Sequence, residues 1–267
     1  TTLFRSGPAA TRGTRGPGAA RPAAARAQRR IAPSPAAWQG RPQTQTEPAP
    51  MIDYAAARTA MVDRQVRPSD VTSFPIIEAM LNVPRERFTP PALRPVAYAG
   101  EHLTLGPSRV MLDPRTFAKM LDAADPGPDD LVLDLGCGLG YSAAVLARMA
   151  AAVIAVEEDP AMARSAAATL TELAVDNAEV VEAPLVAGAP EHAAYNVILI
   201  EGGVEEVPEA LLAQLRDGGR MAFVHMDGDF GRCEVLTRTG DRFGRRRAFD
   251  AAAPVAPGFT RHDEFEF

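Results

Sequence analysis

The chain has 267 residues, of which 46% are hydrophobic and 23% charged, with a net charge of −6. That balance excludes a wholly disordered chain. The length exceeds the ~100–200 residues of one domain but falls short of two full-sized ones. No run of ~18 uncharged apolar residues occurs, so no membrane-spanning helix and no membrane partner are expected. The two cysteines, Cys137 and Cys233, cannot build a disulfide framework and suit a reducing compartment, here taken as the cytoplasm. His102, His192, His225 and His262 stand apart, with no ligand spacing, so no metal site is expected.

Residues 1–50 hold eight arginines and one acid, a net of +7, while the other 217 residues hold 20 basic and 33 acidic groups, a net of −13. An acidic body does not suit nucleic acid, which calls for a basic face. Ala, Pro, Gly and Arg supply 33 of the first 50 residues, too little apolar surface to offset ordering entropy. The segment is expected to be disordered, with Trp38 solvated. Its opening, Thr1-Thr2-Leu3-Phe4-Arg5-Ser6, matches the translation of a common sequencing adapter. Residues 1–50 are therefore expected not to be native, and Met51 to be the start. The rest divides into a helical part and loop at 51–125, a nucleotide-binding core at 126–228, and strands at 229–267.

A helix is expected over 53–66, with Asp53 as its cap and Pro68 as its stop. A second runs from about Pro75 to Leu81, proline being tolerated in a first turn. Pro84, Pro90, Pro91 and Pro95 make the next stretch irregular. A third helix follows Pro114 to about Ala124. From Leu131 the pattern alternates. LVLDL, AVIAVE, AEVVEA, YNVILIE and RMAFVHM read as strands, and YSAAVLARMAA, PAMARSAAATLTELA and PEALLAQL as helices. Short apolar strands alternating with helices imply an α/β fold, a doubly wound and mostly parallel sheet. CEVLTRT and RRRAFDAA read as a C-terminal antiparallel hairpin.

The strongest chemical signal is Asp134-Leu135-Gly136-Cys137-Gly138-Leu139-Gly140, between a strand and a helix. Glycines there let a ligand approach the backbone. Glu157 ends the next strand, where it can accept hydrogen bonds from ribose hydroxyls. The third glycine comes two positions after the second, where a dinucleotide loop spaces them by three, and Asp134 would repel a pyrophosphate. An acid there suits a cationic amine, such as the methionine end of S-adenosyl-L-methionine. A Rossmann-like class I methyltransferase is therefore expected. Tyr141 and Ser142 open the following helix. Cys137 reads as a small loop filler without a basic partner, and Cys233 as strand packing.

From Met51 to about Gly228 the chain resembles the protein-L-isoaspartate O-methyltransferases. MVDRQV, EAMLNVPRERFTP, LRPVAYAGEHLTLG, VLDLGCGLGYSAAVLARM, VIAVEEDP and LLAQLRDGGRMAF carry the resemblance, in the family's order. It implies methyl transfer from S-adenosyl-L-methionine to the carboxylate of an isoaspartyl residue in a damaged protein or peptide, a repair reaction. By resemblance, Asp134, Gly136, Cys137, Gly138, Gly140, Tyr141, Ser142 and Glu157 bind the cofactor.

Three departures stand out against that resemblance. The substrate loop reads LGPSRVMLDP, with Val110 and Leu112 where the family carries Thr and Ser, so neither can donate a hydrogen bond. Ser108, Arg109 and Asp113 are its remaining polar residues, and Arg109 could pair with a substrate carboxylate or be a solvated loop arginine. Ala183-Pro184-Leu185 lacks the acid expected near adenine. Glu201-Gly202-Gly203 replaces Thr-Ala-Ala, and Glu201 either faces the pocket or is a solvated strand end. The loop implies that isoaspartyl methylation is weak or absent, with catalytic residues unassigned. The other class left open is a cofactor-binding relative with another acceptor or no transfer.

Overall fold

The computed structural model describes residues 52–261. The expectations for residues 1–50, Trp38 and the start at Met51 lie outside that range, as does the end of the 229–267 segment. The first helix, α1 (Tyr54–Met61), is capped by Asp53, whose carboxylate accepts from Ala56 N at 3.0 Å. The expected continuous helix to residue 66 is modified. Val62–Val66 continues in wider π geometry and Arg67–Ser69 as a 3-10 turn around Pro68, which has no N–H to extend the ladder. Helix α2 (Phe74–Asn82) carries Pro75 in its first turn. The proline-rich stretch forms two 3-10 turns, Arg85–Phe88 and Pro91–Val96.

Next comes an element the sequence reading treats as loop. Strands β1 (Leu103–Gly106) and β2 (Arg109–Met111) pair antiparallel. With four and three residues around a Gly-Pro-Ser turn, they are too short to show a period of two. Helix α3 (Pro114–Ala124) has the expected bounds, with Asp113 accepting from Thr116 N at 3.0 Å.

The alternating part follows as β3 (Leu131–Leu135), α4 (Tyr141–Leu146), β4 (Ala152–Glu157), α5 (Pro160–Glu172), β5 (Ala178–Glu182), β6 (Tyr195–Val204), α6 (Glu209–Ala213), β7 (Leu215–Asp227), β8 (Phe230–Thr239) and β9 (Arg242–Asp250). Helix α4 stops five residues before the expected Ala151. The Asn177 amide there donates to the carbonyls of Ala147 at 2.8 Å and Ala150 at 3.2 Å, drawing the chain into the turn before β4.

The seven strands lie in the order β5-β4-β3-β6-β7-β8-β9. Neighbours from β5 to β7 are parallel, and β8 and β9 add the antiparallel hairpin. Succession runs one way from β3 to β5 and the other way from β6, so the crevice opens at the carboxyl ends of β3 and β6. Strand β6 shows why its sequence is apolar throughout. Val197 and Leu199 pack on the face with α3 and α4, and Ile198 and Ile200 on the opposite face, so both sides of the pleat are buried. Edge strand β9 is mostly exposed and carries Arg242, Arg245, Arg246 and Arg247, charges that discourage pairing with another chain.

The segment after β9 returns to the end of β6. Gly203 N donates to Pro254 O, and Ala256 N to Gly203 O, both at 2.8 Å. A Cβ on Gly203 would stand 2.5 Å from Ala253 O, so this approach requires glycine. Phe259 anchors the segment in the core, fully buried.

Candidate active site

Asp134 near the end of β3 is completely buried. Ser142 Oγ, from the first turn of α4, donates to its Oδ2 at 2.6 Å, while Oδ1 has no partner. Burial pushes this carboxyl up to about 7, aided by the nearby Glu157 charge, while the Ser142 hydrogen bond and Arg109 pull the other way. The turn that follows exposes backbone. Gly136 and Gly138 have φ of 83° and 58°, a region L side chains avoid. Added Cβ atoms would lie 2.9 Å from Arg109 Nη1 and 2.6 Å from Leu105 Cδ1. The β1–β2 hairpin thus lies directly on the glycine turn.

Glu157 at the end of β4 is fully buried, where an acid closing a strand ordinarily meets water. Oε2 accepts from Gly138 N at 2.7 Å and pairs with Arg109 Nη2. Oε1 accepts from Asp159 N at 3.1 Å. Both oxygens are therefore engaged. Arg109 is not the solvated loop arginine either. It is 4% exposed, and its Nε and Nη1 are buried without partners.

A small cavity of about 10 Å³ lies beside the glycine turn, walled by Val110, Leu112, Phe117, Tyr141, Ser142 and Glu201. Glu201, 5% exposed, faces it from within β6, which runs three residues past the expected end at Glu201. This rules out the solvated strand end. Its Oε1 has no partner. Burial first, and Asp134 second, hold this carboxyl well above the usual carboxylate range.

The other loop residues separate. Ser108 sits exposed at the hairpin turn with φ 54°, away from the cavity wall. Asp113 serves as the α3 cap. Cys137 is buried, its thiol pushed well up by burial and by Asp134 and Glu157, so it is no nucleophile. Gly140 packs on α5, where an added Cβ would meet Ala166 Cβ at 3.1 Å. Leu185 is buried in the core, leaving Glu158 Oε2 to accept from Leu185 N at 3.5 Å.

Sequence reasoning missed Arg85. It is fully buried, donating from Nε to Ala97 O at 2.8 Å and from Nη2 to Leu112 O at 2.7 Å. Its guanidinium stands 4.7 Å over the Tyr141 ring, which itself packs against Phe88 and Phe117. Arg85 therefore ties the end of the substrate loop to the floor of the site. The available signal was an arginine inside Val-Pro-Arg-Glu, beside residues that must be core.

The family model described as Protein-L-isoaspartate(D-aspartate) O-methyltransferase (PCMT) matches residues 56–240. The chain belongs to this family. Among its relatives is the protein-L-isoaspartate O-methyltransferase of Methanoregula boonei, 36% identical over 202 residues, 76% of this chain and 92% of that protein. The enzyme of the same name from Gloeobacter violaceus is 37% identical over 190 residues, 71% of this chain and 93% of that one. Among solved structures, a Plasmodium falciparum protein of this description, in complex with S-adenosyl-L-homocysteine, superposes with a TM-score of 0.65 at 16% identity, covering 74% of this chain and 97% of that one. That likeness bears on the fold, which is the Rossmann-like methyltransferase fold expected from the sequence. The family match spans every residue of the site described above.

Proposed function

We infer that this family member is an S-adenosyl-L-methionine-dependent O-methyltransferase that esterifies an isoaspartyl carboxylate in damaged proteins or peptides. The observation that carries the cofactor is Asp134. A buried carboxylate oxygen without a partner, beside a turn of bare backbone, suits a cationic amine. The residues present fit the cofactor, with Asp134 for its amine, the Gly136–Gly140 turn for close approach, and Glu157 for the ribose hydroxyls. Arg109 must first leave Glu157 Oε2, and Leu105 must withdraw from Gly138. The cofactor supplies a methyl group on a good leaving group, a sulfonium.

The chain's own tasks are then modest. A substrate carboxylate is already ionised at neutral pH, so no general base is needed. Val110, Leu112, Phe117 and the Tyr141 ring shield the reacting oxygen from water and confine it, and proximity does most of the work. The acidic body argues against nucleic acid as acceptor. Among the described residues no helix is long and apolar enough to cross a membrane. Cys137 and Cys233 are both free and buried, which accords with a reducing compartment, and we place the protein in the cytoplasm.

The test is incubation with methyl-labelled S-adenosyl-L-methionine and an isoaspartyl peptide. The expected label is released as methanol in mild base, as from an ester. Base-stable label, or none while calorimetry shows S-adenosyl-L-homocysteine bound, would overturn the reading.

A further inference from the structure

Glu201 is the acid that the reaction as described leaves unused. It stands three residues before the carboxyl end of β6, at the crevice between β3 and β6. Register places Asp134 opposite Leu199, and past an irregularity in β6 between Leu199 and Gly203 Glu201 faces the cavity that Gly136, Cys137 and Ser142 also line. Strand β6 is held there by the C-terminal segment through Gly203. The cavity wall beside Glu201 is otherwise apolar at Val110, Leu112 and Phe117. Ser142 Oγ is committed to Asp134. Glu201 Oε1 and the Tyr141 hydroxyl, both from residues on this wall, are buried without partners, as are Arg109 Nε and Nη1 beside Gly136. An orphaned buried acid is costly unless a ligand completes it.

We propose that Glu201 is a positioning residue that donates a hydrogen bond to the substrate carboxylate, supplying the donor that Val110 and Leu112 cannot. This rests on the isoaspartyl reading above. The groups facing Glu201 are Asp134 from β3, Arg109 from β2, Arg85 from the turn after α2, and Cys137 and Tyr141 from the glycine turn and α4. Burial and Asp134 keep its carboxyl neutral beyond the ordinary range, and the two arginines oppose them without prevailing. A neutral carboxylic acid donates to a carboxylate, as an ionised one cannot. No proton is transferred. The carbon–sulfur bond breaks, the carbon–oxygen bond forms, and Glu201 keeps its proton throughout. Because the acceptor's charge is consumed in the reaction, the hydrogen bond serves binding more than the transition state. It should therefore appear in KM and leave kcat nearly unchanged.

The sign with pH follows. Below its raised pKa Glu201 donates. Above it, two carboxylates face each other and the peptide binds less well. KM for an isoaspartyl peptide should rise as pH climbs through that raised pKa, with kcat flat. Glu201→Gln keeps an N–H donor at every pH, so its KM should stay near the wild-type low-pH value and lose the rise. Glu201→Ala should hold KM about tenfold above the wild-type low-pH value, without a rise with pH. Tyr141→Phe should keep the rise with pH. Calorimetry of peptide binding to protein loaded with S-adenosyl-L-homocysteine should show the same pattern in Kd, without turnover. Infrared spectra of the free protein should carry a protonated carboxylic acid band that Glu201→Gln removes. Activity that rises with pH and vanishes in Glu201→Gln would overturn the proposal, making Glu201 a base for an acceptor that must lose a proton. Unchanged KM in all variants would overturn it too. A wild-type protein that methylates no isoaspartyl peptide at any pH would instead refute the functional reading, and the proposal with it.

Discussion

Replacing Arg109 with methionine should move stability and cofactor affinity in opposite directions. The pair it breaks is deeply buried, with side-chain exposures of 5% for Arg109 and 0% for Glu157. Orphaning a buried charge costs about 3–5 kcal/mol. Glu157 retains Gly138 N at 2.7 Å and Asp159 N at 3.1 Å as donors, so about 2–3 kcal/mol is the expected loss. For a body of this size that is roughly 4–12 °C in Tm. The cofactor gains where the fold loses. A ribose hydroxyl reaching Glu157 Oε2 must displace the guanidinium, and a hydrogen bond between charged groups is worth about 1.5–3 kcal/mol. Without that competitor, S-adenosyl-L-homocysteine should bind roughly tenfold to a hundredfold more tightly. Calorimetry and thermal unfolding on the same Arg109→Met preparation measure both quantities. A lower Tm together with weaker binding would refute the reasoning, and show that Arg109 holds Glu157 in its binding pose.

Three further outcomes are expected. Glu157→Gln should weaken S-adenosyl-L-homocysteine binding by about 1.5–3 kcal/mol and, because it also leaves buried Arg109 without its anion, lower Tm; unchanged affinity in titration calorimetry removes Glu157 from the site. Cofactor affinity should fall as pH drops through about 7, where buried Asp134 takes up its proton and loses its attraction for a cationic amine, up to tenfold per pH unit; Asp134→Asn should bind weakly with no such slope. Val110→Thr with Leu112→Ser should lower KM for an isoaspartyl peptide by adding donors to the cavity wall, while unfolding about 2–5 kcal/mol more easily, since Leu112 is only 1% exposed.

What could be read from the sequence follows from the range of the forces involved. Strands β3 and β4 and helix α3 have the expected bounds because uninterrupted apolar runs, Asp113 as a cap and Pro114 in a first turn act within a few residues. The glycine turn and Asp134 were legible for the same reason. The β1–β2 hairpin was not, because its strands are short and its pairing is visible only in register. The burial of Glu157 and Glu201 was hidden for another reason. An acid at a strand end normally meets water, and only contacts distant in sequence remove it. Arg109, 48 residues away, covers Glu157. The chain around Pro254, some fifty residues on, packs against Gly203 and holds the strand end that presents Glu201. Arg85 acts through Leu112 O across 27 residues, which local patterning does not reveal either.

The central claim is that this site methylates an isoaspartyl carboxylate, and the most direct test compares one peptide carrying isoaspartate with its twin carrying normal aspartate. Label from methyl-labelled S-adenosyl-L-methionine should enter the isoaspartyl peptide as a base-labile ester and leave the aspartyl twin unmodified. Equal labelling of both peptides, or of neither while S-adenosyl-L-homocysteine binds, would contradict the claim.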